Sequence, residues 1–232
     1  MKKLGFGMMR LPLLNEEDKK SIDKKTVCQM VDTFMERGFT YFDTAYMYHE
    51  YESERAVKDV LVTRKDRDSY TLASKLPVMQ LKEKEDMERI FNEQREKCGV
   101  EYFDYYLLHA LDAEHYKTVK RLDCFGFAMQ KKAEGKVKHV GFSFHDSAEV
   151  LDQILTEHPE AEFVQLQLNY LDWEDAKVQS RKCYETAVKH GKKVVVMEPV
   201  KGGTLAKLPK KAEDVLKALH PDWSAASWAI RF

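Results

Sequence analysis

The chain has 232 residues, 44% hydrophobic and 33% charged, enough apolar side chain for one sizeable core in a single domain spanning residues 1–232. Thirty-eight basic against 39 acidic residues leave a net charge of −1, which lacks the basic footprint of a nucleic-acid binder. A mean hydropathy of −0.56 with no long apolar run excludes a membrane-spanning helix, so the expected partner is a small molecule. The N-terminus, Met1-Lys-Lys-Leu-Gly-Phe-Gly-Met-Met-Arg10, has neither the unbroken apolar stretch nor the cleavage site of a signal peptide, and the expected location is cytoplasmic. Cys28, Cys98, Cys124 and Cys183 are dispersed without a C-x-x-C pair. They predict buried thiols, with no zinc or other metal site and no iron–sulfur cluster supplied by this chain.

Strand signals and helical stretches alternate along the sequence. The first apolar run is Leu4–Met9, followed by a helix over Lys25–Arg37 with Val27, Met30, Val31, Phe34 and Met35 at three- and four-residue intervals. Strand Thr40–Thr44 precedes a helix over Ser53–Val62, strand Thr71–Lys75 a helix over Glu83–Lys97, and strand Tyr105–His109 a long segment, Leu111–Arg121, that reads as a pocket-lining loop. A helix over Phe125–Glu134 then leads to strand His139–Ser143, a helix over Ala148–Glu157 to strand Phe163–Leu168, and a helix over Asp175–His190 to strand Lys193–Met197. Gly38, Gly99, Gly135 and Gly191 each fall where a left-handed helix cap favours a residue without Cβ.

Strand ends at 43, 75, 109, 143, 169 and 197 are spaced by 32, 34, 34, 26 and 28 residues, the length of one βαβ step. Such a series builds an α/β fold of the (β/α)8 TIM-barrel type. An open doubly wound sheet fits less well, because the first strand runs into Arg10-Leu-Pro-Leu-Leu-Asn15 and not into a glycine-rich turn opening a helix. After Pro221-Asp222 a helix begins at Trp223 and the sequence stops within it, truncated before the eighth strand. An unpaired parallel edge there predicts self-association.

Asp43, Tyr48, Lys75 and His109 lie at or just beyond strand ends, where parallel α/β folds place their chemistry. A tyrosine is an acid of pKa about 10, so donating a proton near neutrality requires a neighbour that favours the phenolate. A lysine ammonium does this, and an aspartate can hold the ammonium by a charge-assisted hydrogen bond. His109 adds a second donor to an oxygen bound between them. The set can polarise and protonate a carbonyl while hydride reaches its carbon. Singly, each residue has a plainer explanation: a turn cap for Asp43, a solvated strand terminus for Lys75, a rim histidine for His109, aromatic packing for Tyr48.

Phe42-Asp-Thr-Ala-Tyr-Met-Tyr48 with Ser53-Glu54, Ala73-Ser-Lys75, Asp104-Tyr-Tyr-Leu-Leu-His109 and Gly135-Lys-Val-Lys-His-Val-Gly-Phe-Ser143 resemble the aldo-keto reductase family in order and spacing. The resemblance implies a barrel that reduces aldehydes or ketones with a nicotinamide cofactor. It assigns Tyr48 as proton donor, Lys75 and Asp43 as its tuning pair, and His109 as the group orienting the substrate carbonyl. Ser143 and Gln165 match the family's carboxamide contacts. The usual asparagine after the serine is replaced by Phe144. Met197 stands where an aromatic residue commonly covers the nicotinamide, and Lys201-Gly202-Gly203 matches a pyrophosphate-binding turn.

The departures resemble a bacterial branch that often carries a C-terminal ferredoxin-like segment, which is absent from this sequence. The family expectation is NADP (NADPH) in preference to NAD, although the residues that normally select it lie on and after strand eight. Two rival readings use the same residues: a cofactor-binding subunit or sensor with little or no turnover, and an aldolase forming a Schiff base on Lys75. A metal-dependent hydrolase is disfavoured because no strand ends in His-x-His.

Overall fold

The structure is a computed structural model that describes residues 3–232; Met1 and Lys2, where the segment read above for a signal peptide begins, lie outside the described residues. The strands are β1 (Gly5–Gly7), β2 (Tyr41–Asp43), β3 (Thr71–Leu76), β4 (Phe103–Leu111), β5 (Val137–Phe144), β6 (Phe163–Gln167) and β7 (Lys193–Met197). The helices are α1 (Lys24–Glu36), α2 (Ser53–Val57), α3 (Glu85–Cys98), α4 (Ala113–Leu122), α5 (Cys124–Ala133), α6 (Ala148–Glu157), α7 (Ser180–Lys189), α8 (Lys210–Leu219) and α9 (Ala225–Arg231). Strand order in the sheet follows chain order from β1 to β7, and every pairing with a defined register is parallel. Seven strands with alternating helices constitute the (β/α)8 architecture up to its seventh strand.

The chain divides into two compact units, Met1–Phe142 and Ser143–Phe232. In the first, α1 starts where the Asp23 side chain accepts from the Thr26 N–H, and the helix buries Val27, Val31 and Phe34. Phe34 meets Phe6 of β1 and Phe42 of β2 edge-on, at ring-centroid distances of 5.5 and 5.2 Å. This apolar contact fixes the first two strands against their crossover helix. In the second unit, Ser147 caps α6, whose Leu151, Ile154 and Leu155 are buried.

Gly38, Gly99, Gly135 and Gly191 all have φ between 69° and 77°, as their placement after helices requires. Three expectations are corrected. Leu111–Arg121 is mostly helix and not loop: Asp112 accepts from the His115 N–H at 2.7 Å, and α4 buries Tyr116, Val119 and Leu122. The helix expected over Ser53–Val62 is α-helical only to Val57; Lys58–Val62 continues as a π-turn, closed by Thr63 N–H on the Lys58 carbonyl at 3.0 Å. The helix expected from Asp175 begins five residues later, because the Asp175 side chain accepts from the Lys177 and Val178 N–H groups in a turn.

Candidate active site

In the first unit, Asp43 ends β2, Lys75 lies next to the end of β3, and His109 lies two residues before the end of β4. Asp43 pairs with Ala73 and Lys75 with Leu107, so alternation along the strands puts Asp43, Lys75 and His109 on one face. Tyr48 reaches the group from the turn after β2.

Lys75 is completely buried, and its ammonium donates to three oxygens: Asp43 Oδ1 at 2.5 Å, the Thr44 carbonyl at 2.8 Å and Tyr48 Oη at 3.2 Å. An ammonium has three N–H donors, and all are used. Burial alone would pull its pKa down, but the charge of Asp43, the neighbouring Tyr48 oxygen and the hydrogen bonds to both outweigh it and hold Lys75 above the ordinary lysine range. The solvated-terminus explanation for Lys75 is thereby removed. The Tyr48 and His109 rings meet edge-on with centroids 5.8 Å apart.

The sequence reading gave no role to a polar cluster on the other side of β3. Gln94 of α3 donates to the Lys75 carbonyl at 3.0 Å and to Glu54 Oε1 at 2.7 Å, and accepts from Tyr106 Oη at 2.7 Å. Ser74 Oγ donates to the same Glu54 oxygen at 2.7 Å, and all these side chains are buried. Burial raises the Glu54 carboxyl pKa despite the donors from Ser74 and Gln94. Glu54 belongs to the Ser53-Glu54 motif; Gln94 left no signal beyond a polar residue amid α3's apolar positions.

His49, Glu50 and Tyr51, directly after Tyr48, have φ of 50°, 51° and 75°, left-handed values that β-carbons resist. Side chains hold them there. His49 Nε2 accepts from the Leu11 N–H at 3.0 Å while Nδ1 lies 2.9 Å from the Lys19 carbonyl, and Tyr51 Oη accepts from Gln80 at 2.9 Å. With one ring nitrogen accepting, the other must carry the hydrogen that bonds Lys19.

In the second unit, Ser143 and Gln165 are buried near the ends of β5 and β6. Gln165 pairs with Val195 and Gln167 with Met197, so Gln165 and Met197 share a sheet face. Phe144 is buried, so the position where the family commonly has asparagine serves packing. Lys201 forms an ion pair with buried Asp172, which also accepts from Gln167 Nε2 at 2.8 Å and Asn169 Nδ2 at 2.7 Å. Burial would raise the Asp172 pKa; these donors overcome it and lower it. Gly202 (φ 61°) and Gly203 (φ 98°) are exposed, and nothing lies within 4 Å of where a Gly203 Cβ would sit, so backbone conformation and not space calls for glycine there.

These residues fit a nicotinamide dinucleotide: hydroxyl and amide side chains to pair a carboxamide, a thioether on the same face, and left-handed glycines that let a phosphate come close to the backbone, with the Gly203 N–H already given to the Val200 carbonyl at 3.1 Å. Among the described residues no group of His, Cys, Asp or Glu could hold a metal ion, and no helix is long and apolar enough to cross a membrane.

The sequence profile of the aldo/keto reductase family matches residues 3–228. The chain belongs to the aldo/keto reductase family. No match was found among curated protein sequences. Among solved structures the chain is similar to the aldo-keto reductase AKR11C1 from Bacillus halodurans in its holo form, with 21% identity and TM-score 0.69 over 99% of this chain and 76% of that one. An aldo/keto reductase from Brucella melitensis has 20% identity and TM-score 0.71 over 99% and 78% of the two chains. An aldo-keto reductase from Klebsiella pneumoniae in complex with NADPH has 18% identity and TM-score 0.68 over 97% and 74%.

Proposed function

We propose that this protein reduces an aldehyde or ketone to the alcohol, with NADPH as the preferred cofactor and a small carbonyl compound as its partner, in the cytoplasm. The observation that carries the reading is the commitment of all three Lys75 N–H groups to Asp43, Thr44 and Tyr48. Bound NADPH supplies hydride to the carbonyl carbon. Tyr48 gives its proton to the carbonyl oxygen, and the Lys75 N–H on Tyr48 Oη stabilises the phenolate left behind. Asp43 keeps Lys75 charged and in place, and His109 orients the carbonyl. Ser143 and Gln165 would pair the carboxamide of a bound nicotinamide, Met197 would lie against its ring, and Lys201, Gly202 and Gly203 would receive the pyrophosphate, with Lys201 held by Asp172.

The same observation weighs against the Schiff-base aldolase. Attack on a carbonyl needs a neutral amine, whereas the surroundings of Lys75 favour its ammonium. The test is NADPH oxidation followed against a panel of aldehydes and ketones, beside fluorescence titration of the chain with NADPH and NADH. Carbonyl-dependent oxidation supports the reductase. Tight binding without turnover would assign the chain to the cofactor sensors, and a borohydride-trapped adduct on Lys75 would assign it to the aldolases.

A further inference from the structure

Tyr41 begins β2, two residues before Asp43, so its ring lies on the same sheet face as the carboxylate. Its hydroxyl donates to Asp43 Oδ2 at 3.3 Å, while the other oxygen, Oδ1, takes the Lys75 ammonium at 2.5 Å. The first contact is long and the second short, so the phenol constrains the carboxylate less than the ammonium does.

Two further observations show the ring to be seated. Gly5 of β1 is the register partner of Tyr41, and a Cβ added there would come within 2.8 Å of Tyr41 Cδ1. Gly5 is not among the left-handed residues, so the ring beside it, and not its backbone conformation, excludes a larger residue. On the opposite side Tyr105 of β4 meets the Tyr41 ring edge-on at 5.3 Å, and His139 of β5 stacks on Tyr105 at 5.0 Å. β1 brings only glycines and Phe6 to this neighbourhood. The titratable groups that face Asp43 and Tyr41 in the contacts above include Lys75 on β3, Tyr105 on β4 and Tyr48 in the turn after β2, with His139 of β5 behind Tyr105 and His109 of β4 beside Tyr48.

We propose that Tyr41 is a positioning residue for carbonyl reduction, its O–H holding the second oxygen of Asp43 and drawing off part of the charge that the carboxylate would otherwise place on the lysine that supports Tyr48. The proposal rests on the reading of Tyr48 as proton donor. Tyr41 suits a lasting donor: burial, followed by the charge of Asp43 and the hydrogen bond to it, pushes its phenol well above the ordinary tyrosine range. Removing the hydroxyl returns more of the Asp43 charge to Lys75. A more fully neutralised ammonium supports the Tyr48 phenolate less, and turnover falls.

Tyr41→Phe keeps the ring and deletes the donor. It should lower kcat by roughly three- to tenfold, as expected for one modest hydrogen bond to a charge, with substrate KM within about twofold and the alkaline limb of the rate profile moved to higher pH. Gly5→Ala, which displaces the ring, should reproduce the loss. A second measurement is independent of turnover: in protein labelled at tyrosine Cζ, the carbon resonance missing from Tyr41→Phe identifies Tyr41, and in Asp43→Asn that resonance should titrate at lower pH than in the parent. An unchanged rate and pH profile in Tyr41→Phe, or a Tyr41 titration indifferent to Asp43→Asn, overturns the proposal. A parent that turns over no carbonyl overturns the proposed reaction instead, while the Tyr41 resonance still decides whether the phenol and Asp43 are bonded.

Discussion

β3 and β7 are both short parallel strands leading to residues assigned to one reaction, yet they are built oppositely. β3 is buried from Leu72 to Leu76 and carries Lys75 with every donor satisfied, whereas β7 is partly or largely exposed throughout and leads into an exposed turn with two left-handed glycines. A charge in a dry environment must be held by fixed partners, so the β3 side is organised before any ligand arrives. The turn beyond β7 lies at the surface, organised by its left-handed glycines and by the single anchor of Lys201 on Asp172. Variants near β3 should therefore change rate, and variants beyond β7 should change affinity.

The largest effect expected is from Tyr48→Phe. It removes the proposed proton donor and almost no volume, so carbonyl reduction should fall by about a hundred- to ten-thousand-fold with cofactor affinity nearly intact. Turnover within threefold of the parent would remove the β3 side from the chemistry.

Lys75→Met comes next and should act on rate, pH profile and stability together. Leaving Asp43 without its cation in a buried setting costs about 3 kcal/mol, readable as a lower urea midpoint. The pH sign follows from the direction of the Lys75 shift. Its pKa is raised in the fold, so its contribution is complete below the ordinary lysine value of about 10.4 and is lost as pH rises through the higher folded value. The gap in urea midpoint between parent and Lys75→Met should be constant from pH 7 to 9 and close above about pH 10.5. A constant gap to pH 12 would mean that the ammonium is not what stabilises this region.

In the segment after β6, Asp172→Ala releases Lys201 of the turn beyond β7 together with Gln167 and Asn169. The Kd for NADPH should rise about tenfold, equivalent to about 1.4 kcal/mol, with kcat within twofold. A fall in kcat at unchanged affinity would contradict the division between the two regions. The smallest effect is expected from Gly203→Ala. A side chain at φ 98° costs on the order of 1 kcal/mol, a drop of about 2–4 °C in Tm for a chain of this size.

Much of this was legible in the sequence, because strand periodicity and glycine caps are local signals. Asp43, Tyr48, Lys75 and His109 announced themselves through strand-end placement and chemical fit. α4 carries Tyr116, Val119 and Leu122 at three-residue spacing, a helical pattern set aside because the segment follows a strand end where barrels place their loops. α8 carries Ala212, Val215, Leu216 and Leu219 at helical spacing and was legible by the same rule, although none of its residues is buried. The π-turn after α2 closes a bond five residues back, which hydrophobic spacing does not encode. The pairing of Lys201 with Asp172, and the space that Gly5 leaves for Tyr41, join residues 29 and 36 apart in the chain. Only the folded register brings either pair together.

The run His49-Glu50-Tyr51 is a loaded spring beside the phenol proposed as proton donor. Three consecutive left-handed residues with side chains store on the order of 3 kcal/mol, held by the contacts of His49 with Leu11 and Lys19 and of Tyr51 with Gln80. Selection for thermal tolerance alone would relax this segment first, since glycine at Glu50 or Tyr51 removes strain directly. Such variants would gain stability while loosening the turn that presents Tyr48, which makes this short stretch the place where the protein's durability and its turnover are traded against each other.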